Sequence, residues 1–204
     1  EAHYANCIRR HREVAGDPIV SLGLWTWYHF WYDHEKVART IVPGIRAVRK
    51  AGVPEMFFTD WGDNGGYRLP DCTLAAMVFA TGLAWGEPPD APEPDNALLK
   101  AIGGMDYGLS LDLAKMTKHY WDEWPDMVLE ENTLYDDPLY CMSYNNYLAR
   151  GTNGVAAVAD HRRILAGLRG RKGVPPALAA LVDVLALKLA YQHDVLAAYE
   201  AKDK

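Results

Sequence analysis

Ile19-Val20-Ser21-Leu22-Gly23-Leu24-Trp25-Thr26-Trp27 and, further along, Glu55-Met56-Phe57-Phe58-Thr59-Asp60-Trp61-Gly62-Asp63-Asn64-Gly65-Gly66-Tyr67 decide how this chain is read. Each is a short apolar run without clean alternation, as expected of a strand covered on both faces. Each ends in indoles, and the second adds carboxylates and a glycine-rich turn. An indole offers a flat apolar face to the C–H side of a pyranose, a carboxylate accepts hydrogen bonds from hydroxyls, and glycine lets backbone approach closely. These are the materials of a sugar-pocket wall.

Helical patterns flank the two runs. Tyr4, Cys7, Ile8, His11 and Val14 recur at helical spacing before Gly16-Asp17-Pro18. Between the strands, Val37, Ile41, Ile45 and Val48 predict a helix over 35–50, with Pro43 as a local disturbance, Asp33 as its cap and Gly52 beyond its end. After the second strand, Pro70 and Asp71 open a helix over 71–85 whose inner side is expected at Leu74, Met77, Val78 and Ala84. Strands alternating with helices at this pitch imply a parallel pair joined by a right-handed crossover. The residues just after each strand then share one edge, where α/β folds place ligands. Trp25, Trp27, Trp61 and Asp63 are expected on that rim.

The four prolines of 87–94 mark a change of organisation. Beyond them the pattern is helical only, over 96–102, 109–124, 144–150, 154–168 and 175–201. Leu178, Leu181, Val182, Leu185, Leu189 and Leu196 form an apolar stripe in the last. Two domains are expected, 1–86 and 87–204. Two parallel strands alone leave unpaired edges, so further strands are expected from a partner segment or from a longer protein of which this is the tail.

Composition narrows the function. A net charge of -6 and a pI near 5.6 disfavour nucleic acid and anionic membranes, which reward a basic face. No apolar run approaches the ~18 residues of a membrane span. Cys7, Cys72 and Cys141 are odd in number and lack paired spacing, so they read as reduced, half-buried thiols in a reducing, cytoplasmic compartment. His29, Asp33 and His34 have no third cluster to complete a metal site, and His34 reads as a surface residue. Neither metal nor cofactor is expected. Asp122-Glu123 and Glu130-Glu131 read as solvated acids of amphipathic helix ends.

Taken together, Gly23-Leu24-Trp25-Thr26-Trp27 and Phe57-Phe58-Thr59-Asp60-Trp61-Gly62-Asp63-Asn64-Gly65-Gly66-Tyr67 resemble the last two strands of family 20 glycoside hydrolases, in particular bacterial exo-acting β-N-acetylhexosaminidases with a helical C-terminal domain. Asn64 stands where that family usually has a second aspartate, which keeps hydrogen bonding and removes a charge. Leu134-Tyr135-Asp136-Asp137-Pro138-Leu139 and 188–204 resemble later segments of the same subgroup. The resemblance implies α/β architecture, the last two βα units of a (β/α)8 TIM barrel followed by a mainly helical C-terminal domain. It implies substrate-assisted retaining hydrolysis of terminal β-linked N-acetylglucosaminides or N-acetylgalactosaminides. Trp25, Trp27, Trp61, Asp63, Asn64 and Tyr67 are the substrate-binding candidates. No residue here matches the family's catalytic aspartate-glutamate pair, so the chain alone is expected to be inactive and to depend on the remaining barrel strands; homo-oligomerisation stays open. The alternative is a non-catalytic carbohydrate-binding or interaction module.

Overall fold

The computed structural model describes residues 1–27, 29–63, 68–86, 96–117 and 129–202. Of the described residues 70% are helical, and they include two short parallel strands, both in the first part of the chain. The chain divides into two compact units, 1–111 and 112–204.

The first unit runs α1 (Ala2–Ala15), β1 (Val20–Gly23), α2 (His34–Ala51), β2 (Met56–Thr59), α3 (Leu74–Trp85), α4 (Asn96–Gly103) and the start of α5 (Tyr107–Ala114). The strands pair in parallel, Val20 with Met56, Ser21 with Phe57, Leu22 with Phe58 and Gly23 with Thr59. Asp33 caps α2 by accepting from the Lys36 N–H at 2.9 Å, and Gly52 ends it in the left-handed conformation at φ 63°. Pro43 lies inside this helix. Val37, Ile41, Ile45 and Val48 are all buried, so the apolar stripe does face inward.

Helix α2 packs against β1, α1 and α3, and α4 packs on α3. Leu22 is buried on the helix-covered side of the strands. The opposite side, which carries Ser21 and Phe57, is open, with Phe57 48% exposed. Both outer edges are unpaired among the described residues. Parallel strands are ordinarily covered on both faces and paired on at least one further edge.

Several expectations need correction. A 3-10 turn, Pro70–Thr73, precedes α3, and Met77 points outward at 45% exposure while Ala75, Ala76, Val78, Phe79 and Leu83 are buried. Helix α3 is apolar on nearly all sides, so spacing alone does not distinguish its inner face. His34 is not a surface residue: its ring lies edge-on to Phe79 and Tyr107 at centroid distances of 6.0 and 6.2 Å. The thiols are free but unequally placed, Cys7 exposed and Cys72 and Cys141 buried; burial pushes the Cys72 thiol up to about 11.

The second unit contains a 3-10 turn, Lys115–Thr117, followed by α6 (Leu129–Tyr135), α7 (Met142–Leu148), α8 (Thr152–Leu168) and α9 (Pro176–Lys202). Leu178, Val182, Leu185 and Leu189 are buried on α9, as the stripe predicts. Helix α6 lies outside the predicted helical ranges, and its Glu130, read as a solvated acid at a helix end, is fully buried. The Asp122-Glu123 pair lies outside the described residues.

Among the described residues, no helix is long and apolar enough to cross a membrane.

Candidate functional site

Strand β1 stops at Gly23, two residues before the first indole, so strand alternation does not orient Trp25 and Trp27. A left-handed backbone does. Trp25 has φ 49° and Trp27 φ 33°, a region that side-chain-bearing residues seldom occupy. The double reversal turns the two rings onto each other, with centroids 4.4 Å apart and planes 19° from parallel. The Leu24 N–H donates to Thr59 O at 2.8 Å, the His29 N–H to Thr26 O at 2.6 Å and the Asp33 N–H to Trp25 O at 2.9 Å, so the loop is bonded along its length.

The indoles do not have equal duties. Trp25 donates its N–H to the Thr40 hydroxyl at 2.9 Å, and the Lys36 ammonium lies 3.8 Å from its ring centroid. An ammonium and a stacked indole at these distances cannot share one face, so both faces of Trp25 are taken by the protein. It serves as a buttress fixed to α2, with Trp27 leaning on it. The edge of the Trp27 ring passes over Gly23, where an added β-carbon would meet Cη2 at 2.3 Å. Trp61, two residues past β2, is 55% exposed.

The loops after the two strands are joined. The Asp63 N–H donates to Trp27 O at 2.8 Å, which sets the second loop beside the first. The Asp63 side chain has no hydrogen-bond partner among the described residues. Asn64 and Tyr67 lie outside them. Four of the six sequence candidates, Trp25, Trp27, Trp61 and Asp63, thus occupy adjoining loops at the carboxyl ends of the strands.

Sequence reasoning missed Thr26 and Asp60. Thr26 is fully buried, and its hydroxyl reaches both the Asp60 carboxylate and Trp61 O, the latter at 2.8 Å. The other oxygen of Asp60 accepts from the Thr73 hydroxyl at 3.2 Å and pairs with the Arg68 guanidinium at 2.9 Å. A threonine between two tryptophans, and a carboxylate at a strand end just before a third, were the available signals. With its oxygens so occupied, Asp60 is suited to anchoring and not to passing a proton to a leaving group. The arrangement can grip a polar, flat-faced ligand; an adjacent acid pair for catalysis is not found at the described strand ends.

Among the described residues, no group of three histidine, cysteine, aspartate or glutamate side chains is placed to hold a metal ion. A groove of about 740 Å³ lies between α1 and α2, lined in part by Ile8, Arg9, Arg12, Glu13 and Lys50. Its cations are engaged by neighbours, Arg9 with Glu13 and Arg12 with Asp17 and Ala51 O. The strand ends carry the functional reading because recognition needs convergent donors, acceptors and ring faces.

No known family model matches this chain. The curated proteins contain no match either.

Proposed function

We propose that this chain supplies the aromatic wall of an amino-sugar subsite in a glycoside hydrolase of the β-N-acetylhexosaminidase kind, as the last two βα units of a (β/α)8 barrel and a helical domain. The observation that carries the reading is the bond from the Asp63 N–H to Trp27 O, which unites indoles and carboxylate from two parallel strand ends. The open strand face at Phe57 and the unpaired strand edges are consistent with a sheet completed by further strands.

In this reading Trp27 and Trp61 cover the sugar's apolar face and enclose its acetamido methyl, Trp25 supports Trp27, and Asp63 holds hydroxyls. Asn64 and Tyr67 are added on the resemblance alone. The acid that protonates the leaving oxygen and the carboxylate that orients the acetamido group come from another strand. Three free thiols fit a reducing, cytoplasmic setting.

The test is Trp61→Ala in the full-length protein. Loss of a covering aromatic contact should lower kcat/KM on an aryl β-N-acetylglucosaminide at least about tenfold, roughly 1.5 kcal/mol of transition-state binding. Unchanged kcat/KM would reject the assignment. The engagement of Asp60 as an anchor also suits a non-catalytic sugar-binding module; saturable heat on titrating the isolated chain with N-acetylglucosamine, with no hydrolysis by the full-length protein, would favour that second reading.

A further inference from the structure

We propose that Thr26 and Asp60 are positioning residues that hold the sugar-facing indoles in register, an inference that rests on the amino-sugar reading above. Trp25 and Trp27 flank Thr26, and both are left-handed. Such a conformation persists in bulky residues only where the surroundings over-determine it. Thr26 supplies that determination from the inside. Its side chain is fully buried, and its hydroxyl has one proton to share between the Asp60 carboxylate and Trp61 O. Either choice ties the first loop to the second.

Asp60 extends the tie. Through Thr73 it holds the turn that begins the approach to α3, and through Arg68 it ties in the residue that leads into that turn. One half-buried carboxylate thereby joins three segments: the loop after β1, the loop after β2 and the turn before α3. Neither Thr26 nor Asp60 needs to touch the sugar. Their effect on recognition passes through the rings they place.

Two readouts separate this role from general structural support. Two indoles stacked at 4.4 Å couple their ultraviolet transitions and give a paired band in circular dichroism. In the full-length protein, Thr26→Val keeps the side-chain shape and deletes the hydroxyl. It should abolish the paired band and lower kcat/KM on an aryl β-N-acetylglucosaminide about tenfold, as loss of a charge-assisted hydrogen bond does. Thr26→Ser restores the donor and should recover both. Should the valine variant not fold, Asp60→Asn, which keeps the shape and gives up the charge, is read by the same two signals.

A valine variant with band and kinetics intact overturns the proposal. So does a lost band with undiminished hydrolysis, because the rings would then not require placing. If the wild-type protein neither binds nor hydrolyses the glycoside, the sugar reading itself falls and the proposal with it; an active wild type with an indifferent valine variant removes the positioning role alone.

Discussion

At the scale of single residues, the loop after β1 depends on Gly23 lacking a side chain. A β-carbon there would lie 2.3 Å from Cη2 of Trp27. That ring cannot retreat freely, since it stacks on Trp25, and Trp25 is held by Thr40 and Lys36. Gly23→Ala should therefore break the stack and cost about 1–3 kcal/mol, the usual penalty of overpacking. Thermal melts and the tryptophan emission spectrum check this: an unshifted melting temperature with unchanged emission would show that Trp27 has room to move. The composition of this site was legible in the sequence, where indoles and Asp63 stand at the ends of apolar runs. Its backbone was not, because steric preference argues against left-handed tryptophans on either side of one residue. The pairing of Thr26 with Asp60 spans 34 positions, and no local pattern encodes it.

At the scale of elements, Asp136 organises the second unit. One of its side-chain oxygens accepts from the Ser143 N–H at 3.1 Å, the Tyr144 N–H at 3.2 Å and the Gln192 side-chain amide at 2.8 Å. It thus caps α7 and fastens it to α9. The Lys188 ammonium, one turn before Gln192, reaches Asp136 O at 2.7 Å and so closes the end of α6. Asp136→Ala would orphan these donors in a buried setting and should destabilise this unit by about 3 kcal/mol, combining a lost cap with unsatisfied buried groups. Urea unfolding measures it; a shift below about 0.5 kcal/mol, the ordinary scatter of surface substitutions, would refute the hub role. The longer helices were legible where periodicity and caps agree over many residues, as at Asp33 and Gly52 of α2, and both strands because each is a short apolar run between helical patterns. Helix α6 was not. Seven residues form too short a helix to stand on their own propensity, and it is the contacts with α7 and α9 that stabilise it. Glu130 on this helix is fully buried, although local polarity assigns it to solvent.

At the scale of the whole molecule, stability should depend on pH through histidines kept neutral by burial. His161 in the second unit is fully buried, neither ring nitrogen has a partner among the described residues, and desolvation lowers its pKa from 6.5 to about 4. His34 in the first unit shifts in the same direction, again chiefly by desolvation, offset by the nearby Asp33 and Glu35. The sign follows from which state takes up the proton. Above pH 6.5 neither state binds it and the stabilisation is intact; between 6.5 and about 4 the unfolded chain is protonated while folded His161 is not, so stability falls. Below that, this group adds no further loss. The full effect is about 3 kcal/mol, set by the size of the shift. Asp106 is lowered from 3.8 chiefly by its hydrogen bond with Lys100, and Asp112 is lowered chiefly by that with Lys115; both lose their stabilisation only at still lower pH. Unfolding free energies measured from pH 7.5 to pH 4 should slope downward with acid for the wild-type chain. His161→Met, which keeps bulk and gives up the titrating ring, should flatten most of that slope, whereas an equal slope in both proteins would mean that the buried imidazole has no part in acid sensitivity.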